Sequence, residues 1–384
     1  MITNKKRLMN KNKNRLAYFA AILLFSIIPA FFVWGNALLP ILSVSFSLVF
    51  LIDAIIYGPN KKITPVLVYT FFVLTWYVIV SEVSIYGAIM ILTPVLLLLP
   101  TSSFHNKVFE AFLRVFSILM GISILSYILV IILGVNLPHL EIPPLNQSKT
   151  ESYYLFPFFV TRDGVFTPYL IRFMGFFDEA GVVGTICAIL LLTERFDLKK
   201  WENVVVLIAG VLSMSFFFFL VCFVFLILKV PFKLKIVVVL IGITLFFVLR
   251  ENEILYDVFF SRFTINDGQL VGMNREHGYF SDYFEKFRHT SAYWTGLGHG
   301  TGELLNEGGS SYKQVIVDYG VIFFVLYLGC FYLNALSISK RPSMLLFFSI
   351  LLLGTMYQRP FVGIGSIALF YLMMAIPYRI VEKY

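Results

Sequence analysis

The sequence predicts an all-α polytopic membrane protein with a broken or re-entrant hairpin and two outer-face loops. Three observations carry that expectation. Of the 384 residues, 59% are hydrophobic and only 14% are charged, whereas a soluble domain carries about 25% charge. Apolar runs of roughly 18 residues or more recur, each long enough to cross a ~30 Å hydrocarbon core. The 42 phenylalanines and 21 tyrosines suit lipid-facing and interfacial positions.

Taken in order, the apolar runs fall at 16–34, 37–57, 63–80, 84–100, 110–135, 180–193, 203–229, 235–250, 313–336, 344–358 and 361–379. The basic residues then set the topology, because cytoplasmic loops hold an excess of Lys and Arg. Lys5, Lys6, Arg7, Lys11, Lys13 and Arg15 place the start inside. Lys61, Lys62, Lys107, Arg195, Lys199 and Lys200 follow consistently. If 203–229 were one helix, Lys229, Lys233 and Lys235 would land outside. A turn near Ser213–Ser215 returns them inside, together with Lys340, Arg341, Arg379 and Lys383. The count becomes about 12 crossings with both termini cytoplasmic. Non-helical backbone at that depth needs protein or a cavity to satisfy it.

The layout is therefore N-terminal membrane helices over 1–135, a first outer loop over 136–179, and central membrane helices over 180–250. A large outer loop over 251–312 and C-terminal membrane helices over 313–384 complete it. The large loop holds nine acids against four bases, and its "YFSDYFEKFRHTSAYW" has the apolar spacing of amphipathic helices lying on a membrane surface. No internal repeat and no pair of matching broken segments is visible, which weighs against an inverted-repeat transporter. The basic N-terminus precedes an apolar run too long for a signal-peptide h-region, and no small-residue cleavage site follows. It reads as an uncleaved first helix in the cytoplasmic membrane.

The formal charge of +8 reflects lysine in cytoplasmic loops, so no nucleic-acid partner is expected. Cys187, Cys222 and Cys330 lie inside apolar runs and read as small buried hydrophobes. No metal-ligand spacing is present and no cofactor is implied.

Polar chemistry gathers in two places. "IRFMGFFDEAG", Ile171 to Gly181, sets Arg172, Asp178 and Glu179 at the mouth of a membrane run. An interfacial reading explains it simply: the arginine snorkels, the acids cap a helix and the phenylalanines anchor. "GLGHGTGELLNEGGSSYKQ", from Gly296 onward, joins a glycine-rich turn to His299, Glu303 and the entry to a late helix. Glycines such as Gly296 and Gly298 allow close backbone approach and positive φ. N–H groups exposed at a helix start bind anions. Tyr153, Tyr154, Phe156, Phe158 and Phe159 suit either sugar stacking or an interfacial belt. Asp53 and Glu82, near helix ends, read as structural.

This pairing resembles the O-antigen polymerase and O-antigen ligase superfamily. Arg172, Gly175 and Glu179 match its R-x-x-G-x-x-x-E element, with Ala180 where proline is common. "GLGHG" and the helix entry at Gln314–Gly329 look like the close of its large outer loop. The Ser213–Ser215 turn resembles its Thr/Ser-x-Ser-Arg element without the arginine. Ligases carry a histidine near the positions matching Gly309 and Ser310; its absence favours a polymerase, with His299 a substitute ten residues earlier.

The resemblance implies a glycosyltransferase acting on oligosaccharide repeat units carried by undecaprenyl diphosphate, in contact with membrane lipid. It makes O-antigen or capsule, with a chain-length regulator and a flippase as companion proteins. Arginine suits the leaving diphosphate, because its planar fork binds phosphate oxygens and stays charged. Arg172, Arg275 and Arg288 are the candidates, with Arg162 and Arg359 behind them. Surface ion pairs explain Arg275 and Arg288 equally well. A base must activate the acceptor hydroxyl, and Glu179 and His299 lead, then Glu303. Arg172→Ala is accordingly expected to abolish polymer while leaving the protein in the membrane. The alternatives are a ligase, a repeat-unit transporter and a non-enzymatic scaffold. A transporter places ionisable groups in mid-span, whereas charge here gathers in the outer loops.

Overall fold

A computed structural model describes residues 2–28, 38–142, 152–162, 166–167, 170–229, 231, 265–266, 269–270, 278–305, 311–362 and 366–382. The expected span 235–250 and most of the large outer loop lie outside these residues. The chain forms two compact units, Met1–Ile118 with Gly278–Tyr384, and Leu119–His277.

The first unit is helical. It contains α1 (Ile2–Ile27), α2 (Leu38–Tyr57), α3 (Thr64–Val80), α4 (Ile85–Leu92) and the start of α5 (Ser102–Tyr127). After the second unit come three short helices, α9 (Gly278–Phe287), α10 (Ala292–Thr295) and α11 (Thr301–Leu305). The unit closes with α12 (Tyr312–Ile338), α13 (Pro342–Gln358) and α14 (Ile367–Glu382). Residues Ile367 through Ile380 of α14 are all buried. A helix apolar on every side is a core helix, and α12 packs on it and on α3. Asn334 donates to the Met374 carbonyl (2.8 Å), and Tyr327 donates to that of Phe361 (2.7 Å). Phe280, Phe284 and Phe287 form the buried face of α9 and meet Ile316 and Val317 of α12. The helical spacing of those phenylalanines is what anchors the short helices to the bundle.

The second unit is built around α6 (Ala180–Thr193), in which every residue except Gly181 is buried. α7 (Trp201–Leu212) and α8 (Phe216–Lys229) pack on it. The run 203–229 divides at Ser213–Ser215, where Met214 turns through φ 48. Ser213 and Ser215 are buried. They lie against Gly184 of α6, where an added Cβ would sit 2.0 Å from the Ser215 Cβ. Only a glycine lets the two backbones approach so closely. The unit also holds β1 (Leu140–Ile142), β2 (Tyr153–Phe156) and β3 (Phe159–Arg162), an antiparallel sheet with Leu140 opposite Leu155 and Tyr153 opposite Arg162. The hairpins β4 (Phe166–Thr167) with β5 (Leu170–Ile171), and β6 (Ile265–Asn266) with β7 (Gln269–Leu270), complete it.

Two expectations are corrected. The chain is mostly helical, not all-α: the loop 136–179 contains strands. The expected dozen crossings are not found. Among the described residues, four helices are long and apolar enough to cross a membrane: Leu38–Tyr57, Lys61–Val80, Ser102–Ile132 and Tyr312–Ile338. The remaining apolar runs fall short for physical reasons. The 14 residues of α6 span roughly 21 Å, less than a ~30 Å core. The run 84–100 breaks at Thr93–Pro94 into α4 and a 3₁₀ segment. A further interruption lies in the first unit. α12 is also interrupted, at Gly320 (φ 82, ψ 163).

Gly184→Ala is expected to lower the thermal unfolding temperature of the detergent-solubilised protein, by overpacking of about 1–3 kcal/mol. Gly121→Ala is the control, because its nearest neighbour is a Val205 methyl at 3.8 Å. It should be neutral or slightly stabilising, since alanine favours a helix.

Candidate functional site

Each unit has a helix break, among its described residues, that collects residues the sequence singles out. In the second unit the break is α7–α8. A helix end leaves carbonyls without intrahelical donors. The Phe173 N–H donates to the Leu212 carbonyl (3.0 Å). Arg172 Nε donates to the Ser213 carbonyl (3.1 Å) and Nη2 to that of Met214 (3.2 Å). The guanidinium thus closes the end of α7, where a cation also meets the negative end of the helix dipole. Arg172 and the Ser-Met-Ser turn, two separate signals in the sequence, are one structural feature.

The residues around Arg172 hold it in place. Tyr127 donates its hydroxyl to the Ile171 carbonyl. Gly175 adopts φ +57, with its Cβ position 3.0 Å from Met120 Sδ, and its carbonyl accepts the Val160 N–H (2.8 Å). Glu179 is half-buried and is the N-cap residue of α6, in extended conformation (φ −144, ψ 139). Asp178 beside it is buried. Arg162 ends β3; its side chain, and Arg275 altogether, lie outside the described residues. Of the loop aromatics, Tyr153 and Phe159 are buried, and Phe156 stacks on Phe159 at 5.0 Å. That is internal packing. Phe158, at the β2–β3 turn, is exposed.

In the first unit the break is Gly320 of α12, and the glycine-rich loop docks on it. Leu297 N–H donates to the Val317 carbonyl (2.8 Å) and Gly298 N–H to that of Asp318 (3.0 Å). Gly296 (φ +86) packs so tightly that its Cβ would lie 2.3 Å from the Asp318 carbonyl oxygen. At Gly320 a Cβ would lie 2.3 Å from the Trp294 oxygen. The Asp318 carboxylate accepts the N–H groups of Gly302 (2.6 Å) and Gly300 (3.3 Å). The anion seat that the sequence suggests for a substrate is therefore filled by the chain's own carboxylate. Gly298 (φ +110) has open space around it.

His299 stands apart from this lock. Its ring is exposed, and Nδ1 hydrogen-bonds the Tyr319 hydroxyl. Tyr319, 4% exposed, donates to the Tyr77 hydroxyl (3.2 Å), itself 5% exposed. The two tyrosine hydroxyls thus tether the imidazole through Nδ1, and it is the bond made by one ring nitrogen that sets the role of the other.

The other candidates are dispersed. Arg288 pairs with Glu285 (3.0 Å), both about half exposed (49% and 58%), so it is the surface ion pair that its acidic setting suggests. Arg359 caps the C-terminus of α13, its N–H bonding the Thr355 carbonyl (2.6 Å). Glu303 lies in α11; its side chain is outside the described residues. Asp318, Tyr319 and Tyr77 did not figure among the sequence candidates. Their signal was an acid and a glycine inside an apolar run, "VDYGV", which at membrane depth demands a partner.

No family model, no curated protein and no solved structure matches this chain.

Two outcomes follow from the locks. Arg172→Ala removes the guanidinium donor from the carbonyls of buried Ser213 and half-buried Met214, at about 1–3 kcal/mol for a buried acceptor left unpaired. It is expected to lower the unfolding temperature, with Arg172→Lys recovering part of the loss. Asp318→Leu is expected to speed amide hydrogen exchange at Gly300 and Gly302 by mass spectrometry, while exchange in the α6–α8 unit stays unchanged.

Proposed function

We propose that this protein is a membrane glycosyltransferase that polymerises oligosaccharide repeat units carried on a lipid diphosphate. It acts in the cytoplasmic membrane, with both termini in the cytoplasm. The observation that carries the reading is His299, an exposed imidazole oriented by Tyr319 and Tyr77 where the glycine-rich loop meets α12 and α3. In this reading Nε2 takes the proton of an acceptor sugar hydroxyl while that oxygen bonds the anomeric carbon. The bond from that carbon to the lipid diphosphate breaks, and the diphosphate leaves with the electron pair. A fixed cation stabilises its charge, and Arg359, in the same unit as His299, is the candidate. Arg172 is not assigned to the diphosphate, because its guanidinium already holds the α7–α8 turn. Glu179 is the rival base.

A transporter is the second reading, favoured by the two interrupted helices, since broken helices form substrate sites in transporters. The His299 arrangement favours chemistry.

The test is deletion of the gene, electrophoresis of the surface polysaccharide, and complementation with wild type, His299→Ala and Tyr319→Phe. Single repeat units in place of a ladder, restored by wild type but not by His299→Ala, are expected. Tyr319→Phe should restore a weaker ladder with a shifted pH optimum. Full-length chains retained on the lipid carrier would assign a ligase instead. Repeat units trapped inside the cell would assign a transporter, and an unchanged ladder would overturn all three.

A further inference from the structure

The loop 136–179 is expected on one face of the membrane, yet part of it is bonded well inside a candidate span. α5 continues through Ile132, and the span Ser102–Ile132 has 31 residues. That is roughly 46 Å of helix, more than a ~30 Å hydrocarbon core. Charge shows which part crosses. Lys107, Glu110 and Arg114 lie in the first half, and no charged residue follows from Val115 to Ile132. The uncharged stretch covers about 27 Å. Ile118, Ile122, Leu125, Leu129 and Ile132 are exposed along it, at the helical spacing of a single apolar stripe.

Two bonds fix the depth of the loop. Ser126 donates its hydroxyl to the Pro157 carbonyl, at the tip of the β2–β3 hairpin. Tyr127 donates to the Ile171 carbonyl. Its ring meets those of Phe159 (6.0 Å) and Phe173 (5.4 Å) edge-on. Ser126 lies up to about 9 Å inside Ile132 at the helical rise. The hairpin tip and the segment leading into Arg172 therefore sit level with the uncharged part of α5, not beyond its end.

The tip is built for apolar surroundings. Non-helical backbone at membrane depth must have its polar groups satisfied within the protein. The β2–β3 ladder pairs Phe156 with Phe159. Pro157 has no N–H to satisfy, and its carbonyl is the one Ser126 reaches. Phe158 follows at φ 70 and is 54% exposed. Proline at the first turn position and a positive φ at the second follow the type II pattern, whose second position ordinarily takes glycine. A phenylalanine there is strained, and strain kept at an exposed position points to a use for the side chain. In water glycine would serve the turn better; against hydrocarbon the ring gains burial.

We propose that the β2–β3 hairpin is re-entrant: its tip lies within the leaflet where α5 ends, with the Phe158 ring against lipid acyl chains. The proposal rests on α5 crossing the membrane and does not depend on the glycosyltransferase reading.

The test is photo-crosslinking of the full-length protein in phosphatidylcholine nanodiscs. p-Benzoylphenylalanine, which keeps an aromatic ring at the site, replaces Phe158, Leu125 or Lys199 in separate variants, and gel filtration confirms that each folds. After irradiation, mass spectrometry locates adducts on lipid chains, on headgroups or on protein. Leu125, on the apolar stripe, reports whether α5 crosses the bilayer. Lys199, exposed in the charged loop before α7, reports the background. Acyl-chain adducts at positions 158 and 125, with none at 199, are expected and support the re-entrant tip. Where position 125 labels lipid chains, adducts at 158 confined to headgroups or protein, or no adduct there, overturn it. Absence of chain adducts at both positions overturns it together with the crossing of α5.

Discussion

The backbone carbonyl released at a helix break is the constraint on which this structure depends. Lipid offers no hydrogen-bond donor, so an interrupted membrane helix survives only if protein supplies one. Among the described residues, the apolar run of α7 and α8 is interrupted at Ser213–Ser215, and the candidate span α12 is interrupted at Gly320. The chain meets the first with Arg172 and the Phe173 N–H. It meets the second with the N–H groups of Leu297 and Gly298. Each break needs a polar segment docked on it. At Gly320 the docked loop and the helix meet backbone to backbone, so neither Gly296 nor Gly320 admits a Cβ, and at the first turn Gly184 of α6 leaves room for the Ser213 and Ser215 side chains.

The same constraint sorts the polar residues into two kinds. A charged residue at the mouth of a membrane helix invites a catalytic reading, because burial of charge is costly and is kept for a purpose. Here the purpose is often architectural. Arg172 holds carbonyls, the Asp318 carboxylate fills the glycine-rich loop, and Arg288 pairs with its own helix neighbour. His299 differs. It is exposed, and it is joined to the bundle through Tyr319, whose hydroxyl its Nδ1 hydrogen-bonds and on whose ring it stacks.

Much of this was legible in the sequence, and what was not has identifiable causes. The division of 203–229 could be read because lysines on one side must stay with lysines on the other. The amphipathic spacing of α9 could be read, but its apolar face was expected on a membrane surface, whereas Phe280, Phe284 and Phe287 pack against Ile316 and Val317 of α12. The number of crossings could not. An apolar run records burial, whether by lipid or by protein, and α6 and α14 are apolar because they are cores surrounded by other helices. The strands of 136–179 are short and pair only with one another, so no long alternation announces them. The partnership of Asp318 with the glycine loop joins residues 16 and 18 apart. Sequence supplied the acid and the glycines but not their meeting.

Between its ends α12 is clamped. Tyr69 donates to the Leu326 carbonyl (3.0 Å), and its hydroxyl sits so close to Gly329 that a Cβ there would lie 2.5 Å away. Tyr327 reaches Phe361 and Asn334 reaches Met374. These bonds tie the stretch from Leu326 to Asn334 to α3, to the segment after α13 and to α14. The Gly320 break lies on one side of the clamp and a cavity at Ser337 on the other. A rearrangement of the glycine-rich loop therefore meets packed helix before it reaches the cavity. Long-range coupling requires an element with two discrete arrangements, and the clamped stretch offers one. The helix serves as a fixed spacer between two surfaces of different character: one closed on its own carboxylate, the other a polar cavity with both Lys62 and Glu382 on its wall.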